Sequence, residues 1–189
     1  HLADYLEQFA GQLENRGVIV HWARTADDFN RTVLEILQKH GVKKMVKSKS
    51  MLTEECGMNP YLEQNGIDVV ETDLGERILQ LLHQKPSHIV MPAIHLKREE
   101  VGRMFEEKGI SKHIGNYDPT YLTRCARMHL RNQFMEAGAG MTGCNFGVAE
   151  SGDIVVCTNE GNADMSTSMP KLHLVAMGIE KIVPDYSSL

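Results

Sequence analysis

Short apolar runs alternate with amphipathic helical runs through the first two-thirds of the chain, and this alternation constrains the fold most strongly. The apolar runs at 18–20, 44–47, 67–70 and 87–91 are predicted to be strands, because short apolar stretches bounded by turn residues are typical of strands buried on both faces. Apolar positions between them recur at helical spacing. Strands that alternate with helices indicate right-handed β-α-β units. The sequence therefore predicts an α/β fold with a parallel sheet.

Local signals mark where the helices begin. Thr25 stands three residues before an aspartate, as a helix N-cap does, and Asp73 stands three residues before a glutamate in the same way. Pro60 interrupts the helical stretch 50–66, so we expect two helices there, the second capped by Asn59. Asp118 followed by proline predicts the start of a long helix that ends near residue 136.

The last third of the chain has a different pattern. Segments 143–148 and 154–157 flank a glycine-containing turn and predict a β-hairpin. Residues 138–143 match the GxGxxG pattern, but a helix precedes them and a strand follows, the reverse of a dinucleotide-binding site. We therefore expect a flexible loop there. Residues 172–176 are predicted to be a strand or a helix start, and 182–183 a last short strand.

Composition excludes several classes of function. The 189 residues carry 20 Lys and Arg against 25 Asp and Glu, a net charge of −5, whereas nucleic-acid binding needs a basic surface. No window approaches ~18 uninterrupted apolar residues, so no membrane span is predicted. The four cysteines share no CxxC spacing and no HExxH motif occurs. We expect reduced cysteines, no metal site and a cytoplasmic location.

Polar residues follow the predicted strands where open α/β sheets bind ligands, at the carboxyl ends. Lys47, Lys49 and Ser50 follow the second predicted strand and could hold an anion at a helix start, or Lys49 and Ser50 could be a solvated lysine and a cap. Glu71 and Asp73 follow the third strand and serve equally well as helix-capping carboxylates. His95 follows the fourth strand as a candidate ligand residue or an ordinary loop residue.

The segment 158–162 is the most unusual polar string in the sequence. Its candidate ligand residues are Thr158, Asn159, Gly161 and Asn162. Glu160 within it, and Glu150 in the hairpin turn, are candidate catalytic carboxylates, since a buried carboxylate can act as a base or a nucleophile. The alternative is that asparagine and glycine simply form a turn.

Three arginines share one face of the long predicted helix. Arg124, Arg127 and Arg131 are spaced at i, i+3 and i+7. Such a stripe indicates either a solvated face or a docking surface for an acidic partner.

Together these segments resemble the lactate-utilisation (LUD) domain family, and within it the LutB-type iron–sulfur proteins of bacterial L-lactate oxidation. The matching strings occur in the family's order and cover most of the chain. They are KSKSM at 47–51 with TEE at 53–55, ETDLGE at 71–76, HI at 88–89 with PAIH at 92–95, TGCN at 142–145 (which adds Asn145 to the candidate ligand residues), AESG at 149–152 and TNEGN at 158–162.

The resemblance implies a Rossmann-like sheet of the NagB/RpiA/CoA-transferase type, with the hairpin as an insertion. It also implies a parent protein with a ferredoxin-like segment that carries 4Fe–4S clusters and acts with other subunits to oxidise L-lactate to pyruvate. No such cysteine-rich segment occurs here. We therefore expect residues 1–189 to be a single LUD domain that is cut from a longer chain and incomplete at its C-terminal end. We expect it to hold no cofactor of its own and to bind a small anionic ligand.

Two alternatives to a lactate-oxidation subunit stay open. One is a CoA-transferase-like or isomerase-like enzyme that uses Glu160 or Glu150 as nucleophile or base. The other is a non-catalytic interaction module that docks through the arginines of the long helix.

Overall fold

The computed structural model describes residues 2–88, 91–158 and 160–189, and within them the chain forms eight α-helices and seven β-strands. The helices are α1 (Leu2–Asn15), α2 (Ala26–Lys39), α3 (Met51–Glu55), α4 (Met58–Gln64), α5 (Leu74–Leu82), α6 (Arg98–Glu107), α7 (Pro119–Glu136) and α8 (Asn162–Ser168). The strands are β1 (Lys44–Lys47), β2 (Asp68–Glu71), β3 (Ala139–Gly143), β4 (Phe146–Val148), β5 (Asp153–Val155), β6 (Leu172–Ala176) and β7 (Ile182–Val183).

Four strands form a parallel sheet in the order β2-β1-β3-β6. One of its faces packs on α2 and α4 through a core that includes Val33, Leu37, Met45 and Leu62. The other face packs Val46 and Val70 against residues of α7. Helices thus cover both faces, which confirms the predicted α/β class with a parallel sheet and explains why the strands are apolar runs.

A second, mixed sheet has the order β5-β4-β7. β4 and β5 are antiparallel around the turn at 149–152, and β7 joins β4 in parallel. Phe9 and Leu13 of α1 pack with Ala149 beneath this sheet. The first helix therefore covers elements from the last quarter of the chain.

Most of the predicted helix starts are confirmed. The Thr25 hydroxyl accepts the Asp28 N–H at 3.1 Å, and the Asp118 carboxylate accepts the Tyr121 N–H at 2.9 Å. Asp73 likewise caps α5. The expected cap at Asn59 is wrong, because α4 begins at Met58 and Gly57 is its N-cap residue.

One strand prediction in the first half is wrong, and a second is contradicted at the residues that the structure describes. Residues 18–20 form no strand, and Ile19 is 73% exposed. In the segment 87–91, Ser87, His88 and Met91 lie in bends, while residues 89 and 90 lie outside the described residues. At the outer edge of β2 the Gln80 side chain takes the place of a neighbouring strand, since its amide donates to the Val69 carbonyl at 2.6 Å and accepts the Glu71 N–H at 3.1 Å.

The predicted loop at 138–143 is also wrong, because residues 139–143 are strand β3 in the interior of the parallel sheet. A Cβ on Gly140 would lie 1.8 Å from the Ser166 carbonyl oxygen of α8. The missing side chain lets α8 lie directly on the sheet.

No described helix is long and apolar enough to cross a membrane.

Candidate functional site

Polar side chains gather where β1 and β2 end, at the carboxyl edge of the parallel sheet. This is the edge at which open α/β sheets bind ligands. The turns after both strands lead into helices, α3 after β1 and α5 after β2. We call the group the edge cluster, and its members are Lys47, Lys49, Ser50, Glu54, Asn59, Glu71 and Glu76.

A fully buried ion pair lies at the centre of the edge cluster. Lys47 and Glu71 are register partners on adjacent parallel strands, so their side chains leave the sheet on the same face. The Lys47 Nζ lies 2.7 Å from Glu71 Oε1, with side-chain exposures of 0% and 5%. The Asn59 amide of α4 donates to the same oxygen at 2.6 Å. One ion pair and one amide hydrogen bond thus hold the Glu71 carboxylate in place.

A second ion pair lies closer to solvent. Lys49 Nζ is 3.1 Å from Glu76 Oε1, and the lysine side chain is 23% exposed. Asp73 fixes the start of α5 by accepting the Glu76 N–H at 3.1 Å, which positions Glu76 in the first turn. Ser50 precedes α3 and is buried, and its carbonyl accepts the Thr53 hydroxyl at 2.8 Å. Lys49 is therefore the more accessible of the two lysines.

The pKa of Glu54 on α3 depends on burial and on the other charges of the edge cluster. Burial raises the pKa of its carboxyl above the ordinary value of 4.5, and the carboxylates of Glu76 and Glu71 raise it further. The Lys47 and Lys49 ammonium groups oppose this rise. The carboxyl is therefore easier to protonate than an exposed glutamate.

Acceptor atoms exceed donors in the edge cluster. Three carboxylates face two ammonium groups. Buried oxygens of Glu54, Asn59 and Glu71 (Oε1, Oδ1 and Oε2) have no hydrogen-bond partner in the described structure. Because buried polar atoms are normally paired, this arrangement suits a ligand or a proton that supplies a donor.

Two residues of the polar string at 158–162, Glu160 and Asn162, reach the same edge of the sheet. The Asn162 amide donates to the Thr72 hydroxyl at 3.3 Å, and that hydroxyl donates to the Lys47 carbonyl at 2.9 Å. The Glu160 carboxylate accepts the Leu74 N–H at the start of α5, while burial and the nearby Asp73 raise its pKa. Asn159 lies outside the described residues.

The remaining candidates from this segment contact α8. The Thr158 hydroxyl lies 3.4 Å from the Asp164 carboxylate at the protein surface. Gly161 is the N-cap residue of α8. Both therefore contribute to the local geometry of the helix start.

Three other candidates lie on other parts of the molecule. His95 is exposed, with its ring nitrogens 2.8 Å from Ser87 Oγ and 3.0 Å from Gln84 Oε1. The Asn145 side chain accepts the Cys157 N–H at 2.8 Å and closes the open end of the hairpin. Glu150 is exposed, and its carbonyl accepts the Gln12 amide of α1 at 3.1 Å. None of these printed contacts involves the edge cluster.

Sequence reasoning missed Glu54 and Asn59 as site residues and read Glu76 only as part of a helix cap. One signal was available for the central pair. Strand KMVK ends in a positive residue, Lys47, and strand DVVE ends in a negative one, Glu71. Parallel register brings these two strand ends together. Nothing local marks Glu54 or Asn59, since tertiary packing brings their helices to the edge.

The cysteines and the other metal-ligating side chains do not form a metal site in the part of the chain that the structure describes. No group of three or more His, Cys, Asp or Glu side chains is arranged there to hold an ion. Burial raises the pKa of the Cys144 thiol to about 11, so this cysteine is protonated at neutral pH and a poor nucleophile.

Comparisons with known proteins agree with one another. The family model described as LUD domain matches residues 6–189. The chain is 47% identical over 191 residues to lactate utilization protein B of Shouchella clausii, covering all of this chain and 40% of that protein. It is 48% identical over 187 residues to the Geobacillus thermodenitrificans protein of the same name, with 98% and 39% covered.

A third relative carries a different name. The chain is 44% identical over 189 residues to the uncharacterized electron transport protein YkgF of Escherichia coli, covering all of this chain and 39% of that protein. The chain thus spans about 40% of the length of the curated relatives it matches. No solved structure matches it.

Proposed function

Because the chain belongs to the LUD-domain family, we propose that it is the LUD portion of a lactate-utilisation subunit. The longer protein would work with other subunits to oxidise L-lactate to pyruvate in the cytoplasm. The observation that carries this proposal is the identity of 47% over the whole chain to a protein named for lactate utilisation. The parallel sheet supports the finer fold assignment, a NagB/RpiA/CoA-transferase-like domain with the β4–β5 hairpin as an insertion.

The edge cluster is the proposed ligand site within this portion. Lys49 and Ser50 would meet the carboxylate of a small 2-hydroxy acid, since Lys49 is partly exposed beside a buried polar wall. The unpaired Oε2 of Glu71 would accept a hydrogen bond from the ligand's hydroxyl group, while Lys47 and Asn59 hold the Glu71 carboxylate in place. Asn162 and Glu160 would border the ligand from the opposite loop.

Iron–sulfur chemistry does not fit the cysteines of this chain. Cys56, Cys125 and Cys144 are half-buried and Cys157 is exposed, and no three of the His, Cys, Asp or Glu side chains that the structure describes are grouped to hold a metal. A 4Fe–4S cluster takes closely spaced thiolates. We place the clusters in another part of a longer protein, and no electron-transfer step is assigned to these residues.

Ligand binding can be measured directly on this chain by titration calorimetry with L-lactate and with propionate, which lacks the hydroxyl. We expect L-lactate to bind. Propionate should bind at least ~10-fold more weakly, because without the hydroxyl group the buried acceptor atoms stay unpaired. K49A/S50A should abolish binding, whereas K39A, which removes an exposed lysine at the end of α2, should not. Equal affinity for both acids would overturn the hydroxyl assignment.

The cellular role needs a separate experiment with the full-length protein. Deletion of its gene in the source organism should prevent growth on L-lactate but not on glucose, and the full-length gene should restore growth. Normal growth of the deletion strain on L-lactate would refute the lactate role even if the binding measurement succeeded.

A further inference from the structure

The outward face of α7 carries a regular stripe of basic and apolar side chains. At 3.6 residues per turn its members lie within a sector about 100° wide that extends ~22 Å along the helix. We call it the arginine–methionine stripe, and its members are Thr120, Arg124, Arg127, Met128, Arg131 and Met135. The opposite face is buried through Leu122, Ala126, Leu130 and Phe134. Packing among the described residues therefore uses one side of α7 and leaves the stripe uncovered by them.

The three arginines of the stripe have no acidic partner within residues 2–88, 91–158 and 160–189. Two other exposed arginines do, since Arg16 lies 2.7 Å from Asp153 and Arg31 lies 2.6 Å from Asp28. The only acidic residue of α7, Glu136, is paired with Lys44 at 2.6 Å. The stripe thus holds three positive charges that this part of the chain does not neutralise.

The composition of the stripe is that of an interface and differs from the rest of the surface. Arg and Met are enriched in protein interfaces, whereas Lys, Glu and Asp are depleted. The stripe contains only Arg, Met and Thr, and Met128 and Met135 are 62% and 65% exposed. The neighbouring α6 has an ordinary solvated composition, in which Arg98 pairs with Glu99 at 2.9 Å.

Charge selects the kind of partner. A two-fold contact between copies of this chain through the stripe would place its arginines against the same arginines. The chain as a whole carries a charge of −5, so the stripe is opposite in sign to the net charge of the chain. A different protein with a cluster of carboxylates would neutralise the arginines and cover the two methionines.

We propose that the arginine–methionine stripe of α7 is the docking surface for an acidic, partly apolar surface of another protein. A shallow depression at the start of the stripe, lined by Pro119, Thr123 and Arg127 among others, offers a concave place for a partner side chain. This assignment does not depend on the ligand of the edge cluster or on lactate oxidation.

The test uses the full-length protein in its own host, with p-benzoylphenylalanine in place of Met128 and, as a matched control, in place of Arg103 on α6. We expect irradiation to join Met128 to a protein whose cross-linked peptide contains several Asp or Glu residues. The adduct should fall by about tenfold or more in the R124E/R127E/R131E variant, since each lost charge pair adds to the others. The Arg103 position should give no such adduct.

Reciprocal charge reversal separates a specific contact from misfolding. Asp or Glu to Lys substitutions in the cross-linked peptide of the partner should restore the adduct with R124E/R127E/R131E, which a misfolded variant cannot do. The proposal fails if Met128 gives no adduct, gives only a second copy of this chain or a nucleic acid, or gives an adduct that the arginine reversal leaves unchanged.

Discussion

Lys47 is the residue at which the site is most tightly linked to the stability of the fold. Its side chain is completely buried, and its ammonium contacts Glu71 at 2.7 Å. Burying the two charges costs desolvation energy, and this cost offsets much of the attraction between them. The pair therefore adds little net stability to the protein. Removing one partner leaves the other as an uncompensated buried charge. The protein should therefore lose more stability when one of the two residues is substituted than when both are.

We predict that Glu71→Gln lowers the free energy of unfolding by about 3–5 kcal/mol, because the Lys47 charge is left buried without a counter-charge. The matched control is Asp68→Asn at the other end of the same strand pair, where Asp68 is 59% exposed and lies 3.6 Å from Lys44. That change should cost less than ~1 kcal/mol. Urea unfolding followed by circular dichroism measures both.

The double variant K47M/E71L checks the cause. It removes both charges, so we expect it to be more stable than Glu71→Gln alone. A double variant that is less stable than the single one would show that packing of the side chains, and not the unpaired charge, explains the loss.

At the scale of elements, β3 shows how a tertiary contact overrides local preference. Its sequence AGMTG has few of the β-branched and aromatic residues that favour strands. Gly140 nonetheless lies between β1 and β6, because only a residue without Cβ allows the α8 backbone to approach so closely. The signal that predicted a loop is thus a packing requirement.

We predict that Gly140→Ala destabilises the protein by about 1–3 kcal/mol or more, because its Cβ would meet the backbone of Ser166 and that backbone cannot move aside cheaply. Gly11→Ala is the matched control. Gly11 lies within α1 with open space at its Cβ position, so alanine should stabilise by up to ~1 kcal/mol. Thermal unfolding compares the two, and equal effects would contradict the close approach.

At the scale of the whole molecule, Asp153 joins parts of the chain that are far apart in sequence. Its carboxylate contacts Arg16 of α1 at 2.7 Å and accepts the Tyr186 hydroxyl at 2.6 Å. Hydrogen bonds from Ser151, Tyr186 and Arg16 hold its pKa far below the ordinary value of 3.8. The ionised carboxylate therefore helps to hold α1 and the C-terminal residues against the second sheet.

The pH dependence of this contribution has a definite sign. Because the pKa in the folded protein is depressed, the stabilisation is present above pH 3.8 and is lost as pH falls below it. We predict that Asp153→Asn lowers the urea midpoint at pH 7, and that the difference from wild type begins to narrow only below pH 3.8 and is still narrowing at pH 2, because the folded pKa lies far below the ordinary value. Asp27→Asn, an exposed residue in the first turn of α2, should shift the midpoint less. A difference that is as large at pH 2 as at pH 7 would contradict the assignment.

The helices were the best predicted part of the fold. The caps at Thr25, Asp73 and Asp118 act within three residues, so their signals are complete in the sequence. The run at 18–20 has strand composition but no strand beside it, and Gln80 occupies the edge of β2. A strand exists only where a neighbour pairs with it, and composition alone does not supply that neighbour.

The sequence by itself determined the α/β class, most of the helix starts and the family, because apolar periodicity and cap residues act over a few positions and the motif strings occur in order. It also identified Lys47, Lys49, Ser50, Glu71 and Asp73 as residues that follow strand ends. Only the tertiary structure decided that Lys47 and Glu71 form a buried pair, that Glu54 and Asn59 join them, and that Glu150 and Asn145 lie elsewhere. These contacts join residues from separate elements, and strand register and helix packing, which no local pattern encodes, bring them together.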